Sequence, residues 1–398
     1  MQQMKFIAMW IIIAQFLTAF VGRSISPLMF YISADLSLNK GQLGFLPTAL
    51  FIGQFIATLI IGYLADRLST RKMMVCLMTV VGTGFLSFAW IDNYSLALLF
   101  VVLAGMGYGG MHPVTNRFLV NTLPVNKVSL LMGVKQMSIT LGSAGSSVVL
   151  IPLVAYIGWR YTLSVAAVLL LLFSFIIPFV LKTKEDSQSE MATKMPLRQQ
   201  LRIFFHSKWL FFTNSSAFIL MGVQITFNTY IILFLYEIKD WSIYSAGICL
   251  AISEISGACG RVLWGIISDK FFNRNRWGVL LIITMLSTIG ITLMYFIHSS
   301  SLIVICIAIV GFSLAGFNGI WMTLAVESVE KSMSGFASGF SIMVASIGVF
   351  LIPPIFGSLV EYWGYSGGGM FLLSLFACCA ILMVIALLTV KKVNIQNG

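Results

Sequence analysis

Long apolar runs alternate with short polar breaks along the whole chain. A bilayer-spanning helix needs about 20 mostly apolar residues. By that measure twelve spans are predicted, at residues 6–32, 44–65, 73–91, 95–116, 128–157, 161–181, 208–235, 243–267, 278–297, 301–325, 333–360 and 366–390. Most connections are short, as expected for helices that pack against their sequence neighbours. The exception is the polar stretch 182–207, which opens Lys182-Thr183-Lys184-Glu185-Asp186 and divides the chain into six spans plus six. The pattern predicts an all-α membrane protein with one bundle at 1–181, a linker at 182–207 and a second bundle at 208–398. A short amphipathic helix is expected inside the linker, around Leu197–Phe205. The first apolar run is too long for the core of a signal peptide and lacks a small-residue cleavage site, so no cleavable signal is expected.

Composition sharpens this reading. Of 398 residues, 59% are hydrophobic and only 9% charged, with a mean hydropathy of +0.97. Soluble domains carry roughly a quarter charged residues, so a water-soluble fold is excluded. A net charge of +11 would suggest nucleic acid in a soluble protein, but here the placement of the charges encodes orientation. Eighteen Lys and Arg fall on one side of the predicted spans, and only Lys40, Arg160 and Lys239 on the other; Arg23, Lys135 and Arg261 lie within spans. Both termini and the linker are therefore expected in the cytoplasm. The six cysteines (Cys76, Cys249, Cys259, Cys306, Cys378, Cys379) sit in apolar stretches without metal-like spacing and read as packing residues. No cofactor, metal or nucleic acid is expected.

The two halves repeat each other. Gly62 and Asp66 recur as Gly265 and Asp269, 203 residues later. Gly105, Gly110, Gly133, Gly142 and Gly158 recur as Gly311, Gly316, Gly339, Gly348 and Gly364, all 206 residues later, as do Val154 and Tyr156 as Val360 and Tyr362. Repeats of this length are a property of the architecture. Both halves enter from the same side, and parallel repeats of this kind place a substrate site near the membrane midplane.

One charged hairpin marks each half. The first reads Gly62-Tyr63-Leu64-Ala65-Asp66-Arg67-Leu68-Ser69-Thr70-Arg71-Lys72, and the second runs Gly265-Ile266-Ile267-Ser268-Asp269-Lys270 to Arg274 and Arg276. The first hairpin resembles the signature between helices two and three of the major facilitator superfamily, with Ser69 where a glycine is usual. The resemblance runs along essentially the whole chain. Three further segments look most like the anion:cation symporters of organic acids: Arg23-Ser24-Ile25-Ser26, Gly105-Met106-Gly107 through Pro113, and Gly158-Trp159-Arg160. Two positions depart from that group. It tends to carry an acid just before the helix-one arginine and another in helix four, where this chain has Gly22 and Tyr108. Proton symport is thus not carried over by the resemblance. The glycine-proline pair of drug antiporters is also absent from span five, which reads Gly142-Ser143-Ala144-Gly145-Ser146.

Intramembrane ionisable groups mark function by default. Arg23 lies well inside span one, with Ser26, Gln15 and Thr18 on the same face. It reads as an anion-binding group or as half of a structural ion pair, and the resemblance implies the former. Tyr108, His112 and Asn116 recur at i, i+4 spacing in span four, beside Pro113 and the close-packing pair Gly105 and Gly109. Lys135 and Gln136 in span five either line a cavity or, for the lysine, snorkel to the surface. Gln224 and Asn228 share a face of span seven, and Asn318 and Trp321 a face of span ten, as candidate substrate contacts. Glu254, the only acid well within a span, is the candidate coupling group, unless it only neutralises Arg23 or Lys135. Arg261, seven residues on, either joins the site or closes the cytoplasmic side by pairing with Glu327 or Glu330. Asp66, Arg67, Arg71, Lys72 and Asp269 read either as topology anchors or, as the resemblance implies, as a gating latch.

Three basic groups and one acid within the spans give a positive surplus, and in a low dielectric such a surplus selects anions. The expected activity is secondary active transport of a small anionic solute through a cell membrane, in a bacterium the inner membrane. It would proceed by rocking of two bundles, coupled to a proton or sodium ion, in a chain that acts as a monomer. The competing reading is a proton-coupled exporter of drugs or amphipathic metabolites. An enzyme is disfavoured, because His112, His206 and His298 are scattered and no nucleophile-base pairing appears.

Overall fold

Hydrocarbon offers no hydrogen bonds, so a segment crossing it must satisfy its own backbone, and a helix does so. A computed structural model describes residues 2–64, 69–122, 125–180, 207–329 and 334–396, with side chains at 9–57, 61, 69–115, 135–179, 207–325, 327–329, 337 and 339–389. The elements in chain order are α1 (Gln2–Gly22), α2 (Ile25–Leu36), α3 (Lys40–Leu64), α4 (Thr70–Ala89), α5 (Tyr94–Thr122) and α6 (Val125–Val180). They continue with α7 (Lys208–Lys239), α8 (Ile243–Phe271), α9 (Arg276–Phe296), α10 (Ser300–Leu314), α11 (Phe317–Glu327) and α12 (Ser334–Gln396). No strand occurs among the described residues. The expected linker at 182–207, Ser207 apart, and the loop residues 65–68, which include Asp66 and Arg67, lie outside the described residues.

Helical elements and apolar spans do not coincide one to one. α1 and α2 share a single apolar span, Met9–Leu36, and α10 and α11 share another, Ser300–Ala325. α6 and α12 show the opposite case. Their apolar spans, Lys135–Phe179 and Gly339–Thr389, run to 45 and 51 residues. At 1.5 Å per residue these would be about 68 and 77 Å long, against a hydrocarbon core of about 30 Å. Each is broken by a glycine outside helical geometry: Gly158 at φ 75°, ψ 162° and Gly364 at φ 65°, ψ −177°. Only glycine adopts that region without strain. The two breaks are 206 residues apart, the offset read from the sequence.

The chain divides into two compact units, Met1–Glu190 with Thr229–Ala251, and Met191–Asn228 with Ile252–Gly398. In the first, α3 packs along α5, α4 against α5 and α6, and α1 against α6. In the second, α9 lies against α10 and α12, and α11 against α12. Helices in lipid associate by close packing at small residues, and both units do so in one register. A Cβ added at Gly105 would fall on the Leu50 carbonyl oxygen, and one at Gly311 on the Ser253 carbonyl oxygen. Leu50 and Ser253 are 203 residues apart, the offset of the charged hairpins. Likewise Gly142 abuts the Phe16 carbonyl and Gly348 the Phe218 carbonyl. Large apolar side chains cover the outside, and the repeated Tyr156 and Tyr362 are 85% and 81% exposed, as suits residues that face lipid or its interface.

Replacing Gly158 or Gly364 by alanine forces an L side chain into a glycine-only conformation, at a cost of roughly 1–3 kcal/mol. Each variant is expected to lower the unfolding midpoint in detergent. Gly265→Ala is the control: a Cβ there has open space and an ordinary helical backbone, so its midpoint should be no lower than that of the wild type.

Candidate functional site

The first unit builds its polar centre around a helix interruption. Proline has no backbone N–H, and Pro27 stands four residues after Arg23, so the Arg23 carbonyl loses its helical donor. α1 ends at Gly22 and α2 begins at Ile25, leaving Arg23 and Ser24 in the turn between them. Ser24 Oγ donates to the Val21 carbonyl at 2.6 Å and so supplies part of what the turn lacks. Arg23 Nε donates to Tyr108 Oη at 3.1 Å. Its guanidinium carbon lies 5.4 Å from the centre of the Phe51 ring and 5.9 Å from that of Tyr108, within cation–π range. Tyr108 is buried, and its ring meets that of His112 edge-on at 5.7 Å. The two departures noted in the sequence touch each other: a Cβ on Gly22 would lie 2.6 Å from Tyr108 Cδ2.

Lys135 is fully buried, and its Nζ donates to the His112 carbonyl at 3.1 Å. It does not snorkel, because that carbonyl and the surrounding bundle hold it inside. Thr115, one residue before Asn116, links the same face to buried Gln15 through a 3.3 Å contact between Thr115 Oγ1 and Gln15 Oε1. Arg23, Tyr108, His112 and Lys135 are thus joined in one chain of contacts, with Ser26 half-buried one turn beyond Arg23. Gln136 is exposed and points away from its neighbour. The side chain of Asn116 lies outside the described residues.

In the second unit the candidates form two hydrogen-bonded pairs along α7. Asn228 Nδ2 donates to Glu254 Oε1 of α8 at 2.7 Å, and both residues are buried. Gln224 Oε1 accepts from Asn318 Nδ2 at 3.3 Å, and the same nitrogen donates to the Ala315 carbonyl at 3.0 Å. Trp321 is buried one turn from Asn318, and its Nε1 has no hydrogen-bond acceptor among the described residues. Here too an interruption organises the site. α10 stops at Leu314 and α11 starts at Phe317. Side chains meet the carbonyls at this break: Arg261 Nε donates to the Ala315 carbonyl at 3.3 Å and Trp264 Nε1 to that of Phe312 at 3.0 Å.

Of the two acids expected opposite Arg261, Glu330 lies outside the described residues and Glu327 pairs with a different arginine. Glu327 is held by Arg276, whose Nε and Nη2 donate to its two carboxylate oxygens at 2.8 and 2.9 Å. Arg276 is buried, at the start of α9, and sits nearer the end of α11 than Arg261 does. It also reaches Asp269 at 3.4 Å, and Arg274 stands 3.8 Å from the same carboxylate. The described contacts of Asp269 therefore stay within its own unit. In the first hairpin Arg71 and Lys72 are exposed.

Two clusters escaped the sequence reading. Arg160 binds Asp35 at 2.7 Å, Asp92 at 2.6 Å and the Ala89 carbonyl at 3.2 Å, while Trp159 Nε1 donates to Asp35 at 3.0 Å. The turn at Gly158 aims both side chains, so this motif joins the ends of α2 and α4. Also in the first unit, Lys40 pairs with Glu237 at 2.6 Å, Tyr230 Oη donates to the Lys40 carbonyl at 2.7 Å, and Phe30 meets Tyr236 at 4.7 Å. The signal for Pro27 was legible as a proline four residues after an arginine inside an apolar span; no local pattern announces a pairing 197 residues apart such as Lys40 with Glu237.

Comparison with known proteins agrees with this architecture. The family model of the Major Facilitator Superfamily matches residues 11–353. A probable hexose phosphate transport protein of Chlamydia trachomatis is 25% identical over 408 residues, covering 93% of this chain and 87% of that protein. A probable nitrate transporter of Staphylococcus haemolyticus is 25% identical over 358 residues, covering 90% of each. Among solved structures, a bacterial homologue of the human lysosomal transporter Spinster superposes with a TM-score of 0.77 at 17% identity, covering 96% of this chain and 95% of that one.

Replacing Arg276 by methionine strands Glu327 and Asp269 beside an apolar side chain. Both carboxylates are about half exposed and water recovers part of the loss, so the expected cost is about 1 kcal/mol, read as a lower unfolding midpoint in detergent. Arg274→Met should leave the midpoint unchanged, because that side chain is 76% exposed and only grazes Asp269.

Proposed function

The chain belongs to the Major Facilitator Superfamily, and from that premise we propose that it is a secondary active transporter of a small anionic solute working by alternating access. The observation that carries the anion is Arg23, an arginine at a proline-made break within an apolar span, walled by Phe51 and Tyr108. Lys135, buried on the same chain of contacts, adds a second positive charge. Ionised groups inside a membrane protein are costly unless a function or partner retains them. Two bases in one unit favour an anionic cargo over a neutral one. Relatives named for hexose phosphate and nitrate transport support the same class, and a sugar phosphate or a small oxyanion is the cargo we favour.

Glu254 is the proposed coupling group. It is buried and accepts from Asn228, so gain or loss of its proton would change a hydrogen bond on α7. Gln224, Asn318 and Trp321 are proposed to contact solute in the same unit, the unpartnered Trp321 N–H supporting a role as donor. Arg261 and the second hairpin are proposed to gate by holding α11 from either side: Arg261 at the Ala315 carbonyl in the break before it, and Arg276, itself bound to Asp269, at Glu327. The Lys40–Glu237 pair is proposed as closure at the other end of the spans. Twelve crossings with cytoplasmic termini remain the topology we favour. The positive-charge asymmetry supports it, and so do the breaks at Gly158 and Gly364, each of which divides one long helix into two crossings. In a bacterial cell this places the chain in the inner membrane.

Uptake into proteoliposomes tests this reading. The panel comprises D-glucose 6-phosphate, phosphate, nitrate and D-glucuronate, with glucose as the neutral control, with and without proton and sodium gradients. Arg23→Ala should raise KM for the transported anion about 30-fold or more, the loss of one buried charge contact. Glu254→Gln should abolish gradient-driven accumulation while leaving exchange in place. Wild-type anion uptake by Arg23→Ala would refute the anion site, and gradient-driven accumulation by Glu254→Gln would refute the coupling role.

A further inference from the structure

We propose that Tyr108 is a positioning residue that aims the Arg23 guanidinium, and that Gly22 is glycine so that the Tyr108 ring can occupy its place. The inference rests on the reading of Arg23 as the anion-binding group. Tyr108 is only 1% exposed, so its ring is part of the wall and not a surface for solute. Its hydroxyl accepts from Arg23 Nε at 3.1 Å. Because Nε is the one guanidinium nitrogen fixed to the aliphatic stem, that bond sets the rotation of the whole plane.

Tyr108 and Phe51 set the orientation from three sides. The hydroxyl holds the side edge, while the Phe51 and Tyr108 rings stand 5.4 and 5.9 Å from the guanidinium carbon. With the side edge committed to Tyr108, an oxyanion meets the end-on edge made by the two terminal nitrogens. That edge presents parallel N–H groups matched to two oxygens of one anion. A hydroxyl and two rings carry no net charge, so these contacts aim the arginine without neutralising it.

Room for this arrangement comes from Gly22. A methyl group there would lie 2.6 Å from Tyr108 Cδ2, 3.0 Å from Cε2 and 3.3 Å from Cγ. The encounter is with the atoms of a rigid ring, not with the loose end of a flexible chain. The ring cannot yield freely, because His112 stands edge-on to it at 5.7 Å. His112 in turn carries on its carbonyl the ammonium of Lys135. Gly22 and Tyr108, 86 residues apart in sequence, thus form one steric unit that fixes the arginine between them.

The test is a double-mutant cycle on uptake by the full chain in proteoliposomes. The probe is whichever of phosphate, nitrate and D-glucuronate the wild type transports fastest. Tyr108→Phe removes the hydroxyl and keeps the ring. It is expected to raise KM about tenfold, the loss of one hydrogen bond to a charged group, with Vmax within about twofold and the unfolding midpoint unchanged. In an Arg23→Lys background Tyr108→Phe should change KM less than twofold, because an ammonium has no planar edge to aim. A purely structural tyrosine would cost the same in both backgrounds. Gly22→Ala should raise KM as Tyr108→Phe does; in a Tyr108→Leu background, where the shorter side chain leaves the methyl room, it should add nothing further. Wild-type KM in Tyr108→Phe, or equal effects of that change in the wild-type and Arg23→Lys backgrounds, would overturn the positioning role while a defective Arg23→Ala kept the anion site standing. Normal uptake of every probe by Arg23→Ala would overturn both.

Discussion

The structure depends on the cost of an unsatisfied backbone group in hydrocarbon. Each such group costs several kcal/mol, so a spanning helix can be interrupted only where side chains or neighbouring backbone take over. The chain spends its few polar residues at such places. In the first unit Pro27 removes the donor to the Arg23 carbonyl, and Arg23 with Ser24 fills the turn. In the second unit the break after Leu314 is served by Arg261, Trp264 and Asn318. At that second break, polar side chains supply donors to the carbonyls of the interrupted helix.

Charge is distributed unequally over this repeated scaffold. The glycine contacts, the breaks at Gly158 and Gly364 and the exposed Tyr156 and Tyr362 recur in both halves, so the scaffold is duplicated. The ionisable groups are not. Arg23 and Lys135 belong to the first unit and Glu254 to the second, each with a named hydrogen-bond partner. In the proposed account duplication supplies the framework, and divergence at a handful of buried positions supplies the chemistry: bases to hold an anion, an acid to couple it. In the second hairpin the described contacts of Asp269, with Arg276 and Arg274, are local to its unit.

Much of this was legible in the sequence because bilayer physics writes long, simple signals. Apolar runs locate helices, and the 206-residue offset picks out glycines, Gly105 with Gly311 and Gly142 with Gly348, at which helices pack closely in both units. The boundaries of the regular elements were less legible. Hydropathy cannot see that span one is two helices with Arg23 between them, although Pro27 carries the reason. Nor does it see that span ten stops at Leu314, where no proline intervenes. Pairings across long separations were the least accessible. Glu327 pairs with Arg276 because α9 starts beside the end of α11, a fact of packing that spacing along one helix does not contain. Lys40 counted toward orientation in the sequence, and only the fold gives it Glu237.

The central claim is that a half-buried arginine at a helix break recognises an anion. Ligand-induced stabilisation of the purified protein in detergent measures this without reference to transport, since a ligand that binds the folded state raises its unfolding midpoint by mass action. The account predicts that a small oxyanion raises the midpoint while a neutral analogue of equal size does not, and that Arg23→Gln removes the rise. Equal stabilisation by charged and neutral analogues, or a rise that survives Arg23→Gln, would contradict it.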